Sequence, residues 1–264
     1  MSAGDQPRYG TWIRSSRLRV FSALTLLGLA GCFFAAVSRW FLLFLVPLGI
    51  FGYITVILAL TAYRLGPRGG DFQRRIHLLV ATSLAAPPGG CALDVGCGSG
   101  SLAIKLAQAH AGISVIGVDS WRHDWEYSKD ECARNARVEG VADRVTFQQQ
   151  SGSALSFPEA SFDAVVSCMT FHEIKENADK TAGIAEALRV LRPGGTFVFL
   201  DLFGDRSFYP DPAAVRAIAG ADPRALSDLM PLPFPLRHPK VLGHAMVVTG
   251  TKPAGSASGE SIAA

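Results

Sequence analysis

Between Val20 and Tyr63 the chain carries one charged side chain, Arg39. So long a stretch without charge excludes a helix lying on the surface of a soluble domain, which would show a polar face. As a helix, Val20 to Val37 measures about 27 Å at ~1.5 Å per residue, close to the ~30 Å of bilayer hydrocarbon. The second stretch, 40–63, is longer and is expected to tilt or to kink at Pro47. Two membrane spans are therefore expected within 20–64, after a basic N-terminal segment, 1–19. A buried helical hairpin and a cleaved signal sequence are the alternatives, the latter suggested by the small residues Ala35 and Ala36. Charge placement favours the spans: Arg8, Arg14, Arg17 and Arg19 precede the first, while Arg64, Arg68, Arg74 and Arg75 follow the second. Arginine-rich flanks stay on the cytoplasmic side, so both ends are expected to face the cytoplasm.

Cysteine is scarce as well. Cys32, Cys91, Cys97, Cys132 and Cys168 are odd in number, with no C-x-x-C pair and no histidine at metal spacing. That excludes a disulfide framework and indicates free thiols and no metal site. Acidic residues are rare early in the chain. Residues 1–90 carry nine arginines against Asp5 and Asp71, a net charge of +7, and the remainder carries −4. A basic segment beside an apolar one suits anionic lipid headgroups, although topological signalling by arginine explains it equally well, and the pattern gives no footprint for nucleic acid. No internal repeat is present. The linker 65–71 contains Gly66-Pro67-Arg68-Gly69-Gly70, and the tail 254–264 is small and polar, as in disordered termini.

What the chain does have begins at Leu93-Asp94-Val95-Gly96-Cys97-Gly98-Ser99-Gly100, an apolar strand, a glycine turn and a helix start. Glycines let the backbone approach a ligand, and the following helix offers free N–H groups and a positive dipole end. The spacing is not the dinucleotide pattern G-x-G-x-x-G, because Ser101 stands at the sixth position. With Asp94 it reads D-x-G-x-G-x-G. Three more segments follow in order: Val115 to Asp119, a buried strand ending in a carboxylate; Phe162 to Ser167, another strand; and Thr181 to Leu191, a helix running into Arg192-Pro193-Gly194-Gly195 and the strand Thr196 to Leu200. In this order, over about residues 72–253, the chain resembles the class I S-adenosylmethionine-dependent methyltransferases of the small-molecule and lipid kind.

The resemblance implies an α/β fold, a Rossmann-like doubly wound sheet of seven strands with the last antiparallel, preceded here by a transmembrane helical hairpin. Ala245 to Thr251 fits the last strand, and Leu232 to Leu236 is a weaker candidate for its partner because of Pro231, Pro233 and Pro235. The implied cofactor is S-adenosyl-L-methionine. Asp94 and the turn Gly96, Cys97, Gly98 and Gly100 would face its methionyl part, Asp119 with Ser120 the ribose, and backbone at Ser167 the amine. Many relatives carry an aspartate for adenine where this chain has Ser153 before Ala154, so adenine recognition loses charge assistance. Trp121 either lies against adenine or packs under the next helix with Trp125. Cys97 in such a turn is more simply a small packing residue than a nucleophile.

A methyl acceptor needs to be held in line with the activated bond, and a base is optional. His172, in Phe171-His172-Glu173, is the candidate base, with Glu173 orienting it or acting alone; the plainer alternative is a histidine that supports the local fold. Phe203, Phe208, Tyr209 and Phe234 suit an apolar acceptor or an ordinary core. With two spans alongside, the expected partners are a hydrophobic or lipidic acceptor and the membrane. The rival readings are a methyltransferase of proteins or soluble metabolites and a non-catalytic scaffold.

Overall fold

The computed structural model describes residues 6–34, 37–122 and 125–253. The expected tail 254–264, the first five residues of the basic segment, and Ala35 and Ala36 lie outside them. Seven strands form one sheet: β1 (Cys91–Val95), β2 (Ser114–Asp119), β3 (Val145–Gln149), β4 (Phe162–Cys168), β5 (Leu191–Asp201), β6 (Arg224–Ala225) and β7 (Met246–Thr251). Their spatial order is β3-β2-β1-β4-β5-β7-β6. The first five are parallel, and β7 lies antiparallel to both β5 and β6. The chain winds outward from β1 through β2 to β3, then returns to β4 on the other side of β1. That reversal opens a crevice at the carboxyl ends of β1 and β4.

Strands buried on both faces read as continuous apolar runs, which is why Leu93, Val95, Val165 and Val166 are fully buried. Helices α3 (Phe72–Ser83), α4 (Ser101–Ala109), α5 (Lys129–Val138), α6 (Thr181–Val190), α7 (Pro212–Ala219) and the short α8 (Leu226–Leu229) complete the domain. Ile76, Val80 and Ala81 of α3 enter one core layer, while Ile184, Ala187 and Val190 of α6 enter the other. The partner of β7 is Arg224–Ala225 rather than Leu232 to Leu236. Pro231, Pro233 and Pro235 cannot donate to a ladder, so that stretch is a loop.

Ahead of the domain, α1 (Ser15–Phe33) and α2 (Leu45–Leu65) form an antiparallel hairpin joined through a 3₁₀ turn at Arg39–Phe44. Small residues set its close packing. A side chain at Gly28 would meet the Leu48 backbone at 3.1 Å, one at Gly31 would strike the Phe44 ring at 2.3 Å, and Thr25 and Thr55 share a 3.0 Å hydrogen bond. Pro47 is the third residue of α2, and the helix just ahead of it, Arg39–Phe44, is wound as a 3₁₀ turn. Both helical segments are long and apolar enough to cross a membrane. Leu27, Phe33, Trp40, Leu43 and Val46 are each more than three-fifths exposed, which is not the burial of a soluble core hairpin.

Candidate active site

The glycine turn after β1 is tied to β2 by its own backbone: the N–H groups of Gly96 and Cys97 both donate to the Val118 carbonyl, at 2.8 and 3.0 Å. Gly96 has φ +77°, and a Cβ there would lie 2.1 Å from Thr170 Oγ1. Gly100, with φ +79°, begins α4 against Phe147 and Cys132. Beneath the turn, Cys132 Sγ donates to the Gly98 carbonyl at 3.1 Å. Burial pushes the Cys97 thiol well above its usual value, which suits packing and opposes a thiolate nucleophile.

Gly96, Cys97, Gly98 and Ser99 wall one side of a cavity at the crevice. Four acidic residues line its wall, Asp94, Asp119, Glu173 and Glu176. Asp94 is 1% exposed, and neither of its carboxylate oxygens has a hydrogen-bond partner among the described residues. Burial pushes its pKa up to about 8; the Ala103 backbone N–H opposes the rise and the Asp119 charge adds to it. Asp119 accepts from the N–H of Gly98 at 2.9 Å and of Trp121 at 2.8 Å; burial raises its pKa, and those amides oppose the rise. Each of its oxygens keeps a second lone pair.

The remaining wall is aromatic. Trp125 stacks on Tyr127 with ring centroids 5.6 Å apart at 11°, and Trp12 meets His77 edge-on at 5.5 Å. His77 is buried against Ser101 Oγ at 2.9 Å; burial pulls its pKa down to about 3, with Lys105 adding to the fall.

Trp12 belongs to a strap, residues 6–14, laid across the cavity. Two side-chain amides clamp its backbone. Asn135 accepts from the Arg8 N–H and donates to the Arg8 carbonyl, at 2.8 and 2.7 Å, while Gln73 accepts from the Trp12 N–H and donates to the Gly10 carbonyl, both at 3.0 Å. Tyr127 Oη donates to the Thr11 carbonyl at 2.8 Å. Arg14 closes the strap by donating to Glu173 at 3.2 Å while its guanidinium lies 4.1 Å from the Trp125 ring centroid.

Several residues singled out in the sequence stand elsewhere. Trp121 points its indole N–H to the Gly98 carbonyl at 2.9 Å and packs on the core, so it buttresses the turn and does not line the cavity. Ser153 bonds Ser151 at 2.8 Å; Gln150, Ser151 and Gly152 form that wall instead of Ser153 and Ala154. Ser167 is fully buried and donates to the Val95 carbonyl, and the cavity is reached by Cys168, Met169 and Thr170. Ser120 is in the wall.

His172 lies behind Glu173. Its Nδ1 is 2.6 Å from Asp201, its ring rests 5.2 Å from Phe208, and its Nε2 is 3.8 Å from Glu173. Burial pulls its pKa down, but the charge and hydrogen bond of Asp201, with Glu173 beyond, lift it above the usual imidazole value. Phe203 and Tyr209 are core residues, and Phe234 is exposed away from the cavity. The strap, His77 and the Trp125–Tyr127 pair went unassigned in the sequence. Only Trp125-Glu126-Tyr127-Ser128 gave a local sign, as an aromatic cluster just before a helix cap.

A buried carboxylate that burial keeps largely uncompensated, three further acids and an aromatic wall fit a ligand that carries positive charge and hydroxyl groups, as S-adenosylmethionine does. A family profile described as a methyltransferase domain matches residues 92–195. The chain is 35% identical over 127 residues to 27-O-demethylrifamycin SV methyltransferase of Amycolatopsis mediterranei, a match covering 48% of this chain and 42% of that protein. It is 32% identical over 120 residues to the ubiquinone/menaquinone biosynthesis C-methyltransferase UbiE of Geobacter sulfurreducens, covering 45% and 44%. The chain thus spans less than half the length of these two relatives. Geranyl diphosphate methyltransferase, solved in complex with S-adenosylmethionine, shares the fold with a TM-score of 0.53 at 15% identity, over 72% of this chain and 89% of that one. Residues 92–195 of this chain thus match a methyltransferase domain, on a fold shared with an enzyme solved with S-adenosylmethionine bound.

Proposed function

We propose that the protein is a membrane-anchored methyltransferase that transfers the methyl group of S-adenosylmethionine to a hydrophobic or lipidic small molecule delivered from the bilayer. One observation carries this reading. Arg14, which immediately precedes the apolar helix α1, is bonded to Glu173 in the cavity wall, so the cavity mouth adjoins the base of the hairpin. A relative named for ubiquinone or menaquinone agrees with such an acceptor.

Within this reading residues 20–64 anchor the chain, 65–71 link, and 72–253 form the catalytic unit with the strap laid over it. Asp94 and the Gly96–Gly98 backbone hold the methionyl end, Asp119 and Ser120 the ribose, and Gln150 to Gly152 the adenine. The cofactor supplies a methyl group already activated on sulfonium. The chain positions the acceptor, excludes water beneath Trp12, and presents Glu173 as the group that accepts a proton, with His172 behind it held by Asp201. Cells fed methionine with an isotopically labelled methyl group, expressing either the protein or its Asp119→Ala form, provide the test. A labelled species in the organic extract of the first alone is expected; identical extracts would overturn the reading.

A further inference from the structure

Residues 6–13 of the strap form neither helix nor strand. Among the described residues, every hydrogen bond that ties their backbone to the domain comes from a domain side chain: Arg134 to Gln6, Asn135 to Arg8, Gln73 to Gly10 and Trp12, and Tyr127 to Thr11. A segment held this way opens at less cost than a strand in a ladder, because each bond can be exchanged for one to water.

Two of those side chains also support the glycine turn. Asn135 is fully buried, and its amide donates both to the Arg8 carbonyl and to the Ser99 carbonyl, at 2.7 and 3.1 Å. The Tyr127 ring lies 3.4 Å from the place a Cβ on Gly98 would take. Strap and turn thus share their supports, and a shift of one is felt by the other. Trp12, Gln73 and His77 line the same cavity as Asp94, so a ligand that reaches Asp94 lies beneath the strap. Tyr9 fastens the strap outside the cavity, donating to Glu139 at 3.1 Å and packing on the core.

We propose that residues 6–12 are a lid over the cofactor, resting on the cofactor placement given above. They lift to admit S-adenosylmethionine and to release its demethylated product, and they close together with the Gly96–Gly100 turn through Asn135 and Tyr127. The hinge is at Arg14, because α1 follows at Ser15, whose N–H is held by Glu126 at 3.1 Å.

The test mixes the full chain, in phosphatidylcholine–phosphatidylglycerol nanodiscs, with S-adenosylhomocysteine and follows tryptophan emission by stopped flow, since Trp12 and Trp125 line the cavity. The observed rate is expected to level off with ligand concentration at the rate of lid opening, and Tyr9→Ala is expected to raise that plateau roughly tenfold. Hydrogen exchange of the unaltered chain reads the same motion without a substitution: amides 8–13 should exchange roughly tenfold more slowly once ligand is bound. A rate that rises linearly and equally in both proteins, or equal exchange of 8–13 with and without ligand, would overturn the lid while leaving the cofactor site intact. No change in emission or exchange at any ligand concentration would overturn the cofactor placement as well.

Discussion

Arg14 and Glu173, 159 residues apart in sequence, meet at 3.2 Å on the rim of the cavity. The pair joins the start of the apolar hairpin to the candidate acceptor wall, and it has the Trp125 ring against it. Arg14→Ala removes one ion pair, partly shielded from water, and one cation–π contact, together about 1–2 kcal/mol. The expected result is faster hydrogen exchange over residues 8–13 and a rise of roughly 5- to 30-fold in the KM for S-adenosylmethionine. Unchanged exchange would show that the strap is held without Arg14.

Cofactor binding should move a proton. Asp94 has a pKa of about 8 in the free protein because it is buried, so at pH 7 it is mostly protonated and a cationic ligand must displace that proton. Calorimetry at pH 7 in two buffers of different ionisation enthalpy should reveal proton release on binding, and affinity should rise as pH approaches 8 and then level off. In Asp94→Asn both effects should vanish, along with most of the affinity.

His77 and His172 should respond to pH in opposite directions. The folded pKa of His77 is depressed to about 3, below the unfolded value of about 6.5. Its contribution is present above pH 6.5 and is lost as pH falls from there toward 3, at up to ~1.4 kcal/mol per pH unit. Melting curves of wild type and His77→Gln should therefore converge on acidification. The folded pKa of His172 is raised, so its contribution is complete below about 6.5 and is lost as pH rises through the folded value. The advantage of wild type over His172→Gln should shrink on the alkaline side.

Gly96→Ala puts a side chain at φ +77° and drives its Cβ into Thr170. Loss of about 2–4 kcal/mol of stability is expected, combining backbone strain with the clash. Adding Thr170→Gly should recover the clash but not the strain, which denaturant melts of the two variants will resolve.

How far the sequence foretold this molecule follows from the range of the forces involved. Leu93 to Gly100 could be read directly because strand, turn and helix start are encoded within eight residues, and glycine alone tolerates those backbone angles. The hairpin could be read because the lack of charge is itself the signal. The strap could not: Gln73, Tyr127 and Asn135 recognise backbone atoms of residues 8–12, and backbone atoms carry no side-chain code. The choice between the two readings of Trp121 is open in the sequence for a similar reason, since its indole N–H answers a carbonyl in the neighbouring turn. The sequence leaves His172 between candidate base and local support, with Glu173 able to act alone, because the deciding partner, Asp201 on β5, is distant in sequence; it holds the His172 ring, and Glu173 lines the cavity.

Methyl transfer to a molecule supplied by the bilayer would leave label in lipid. The most direct measurement gives methyl-labelled S-adenosylmethionine to the full chain reconstituted with lipid extract, beside its Asp119→Ala form, and counts label in organic, aqueous and protein fractions. Label entering the organic fraction only with intact Asp119 is the predicted result. Label confined to the protein or aqueous fraction would contradict it.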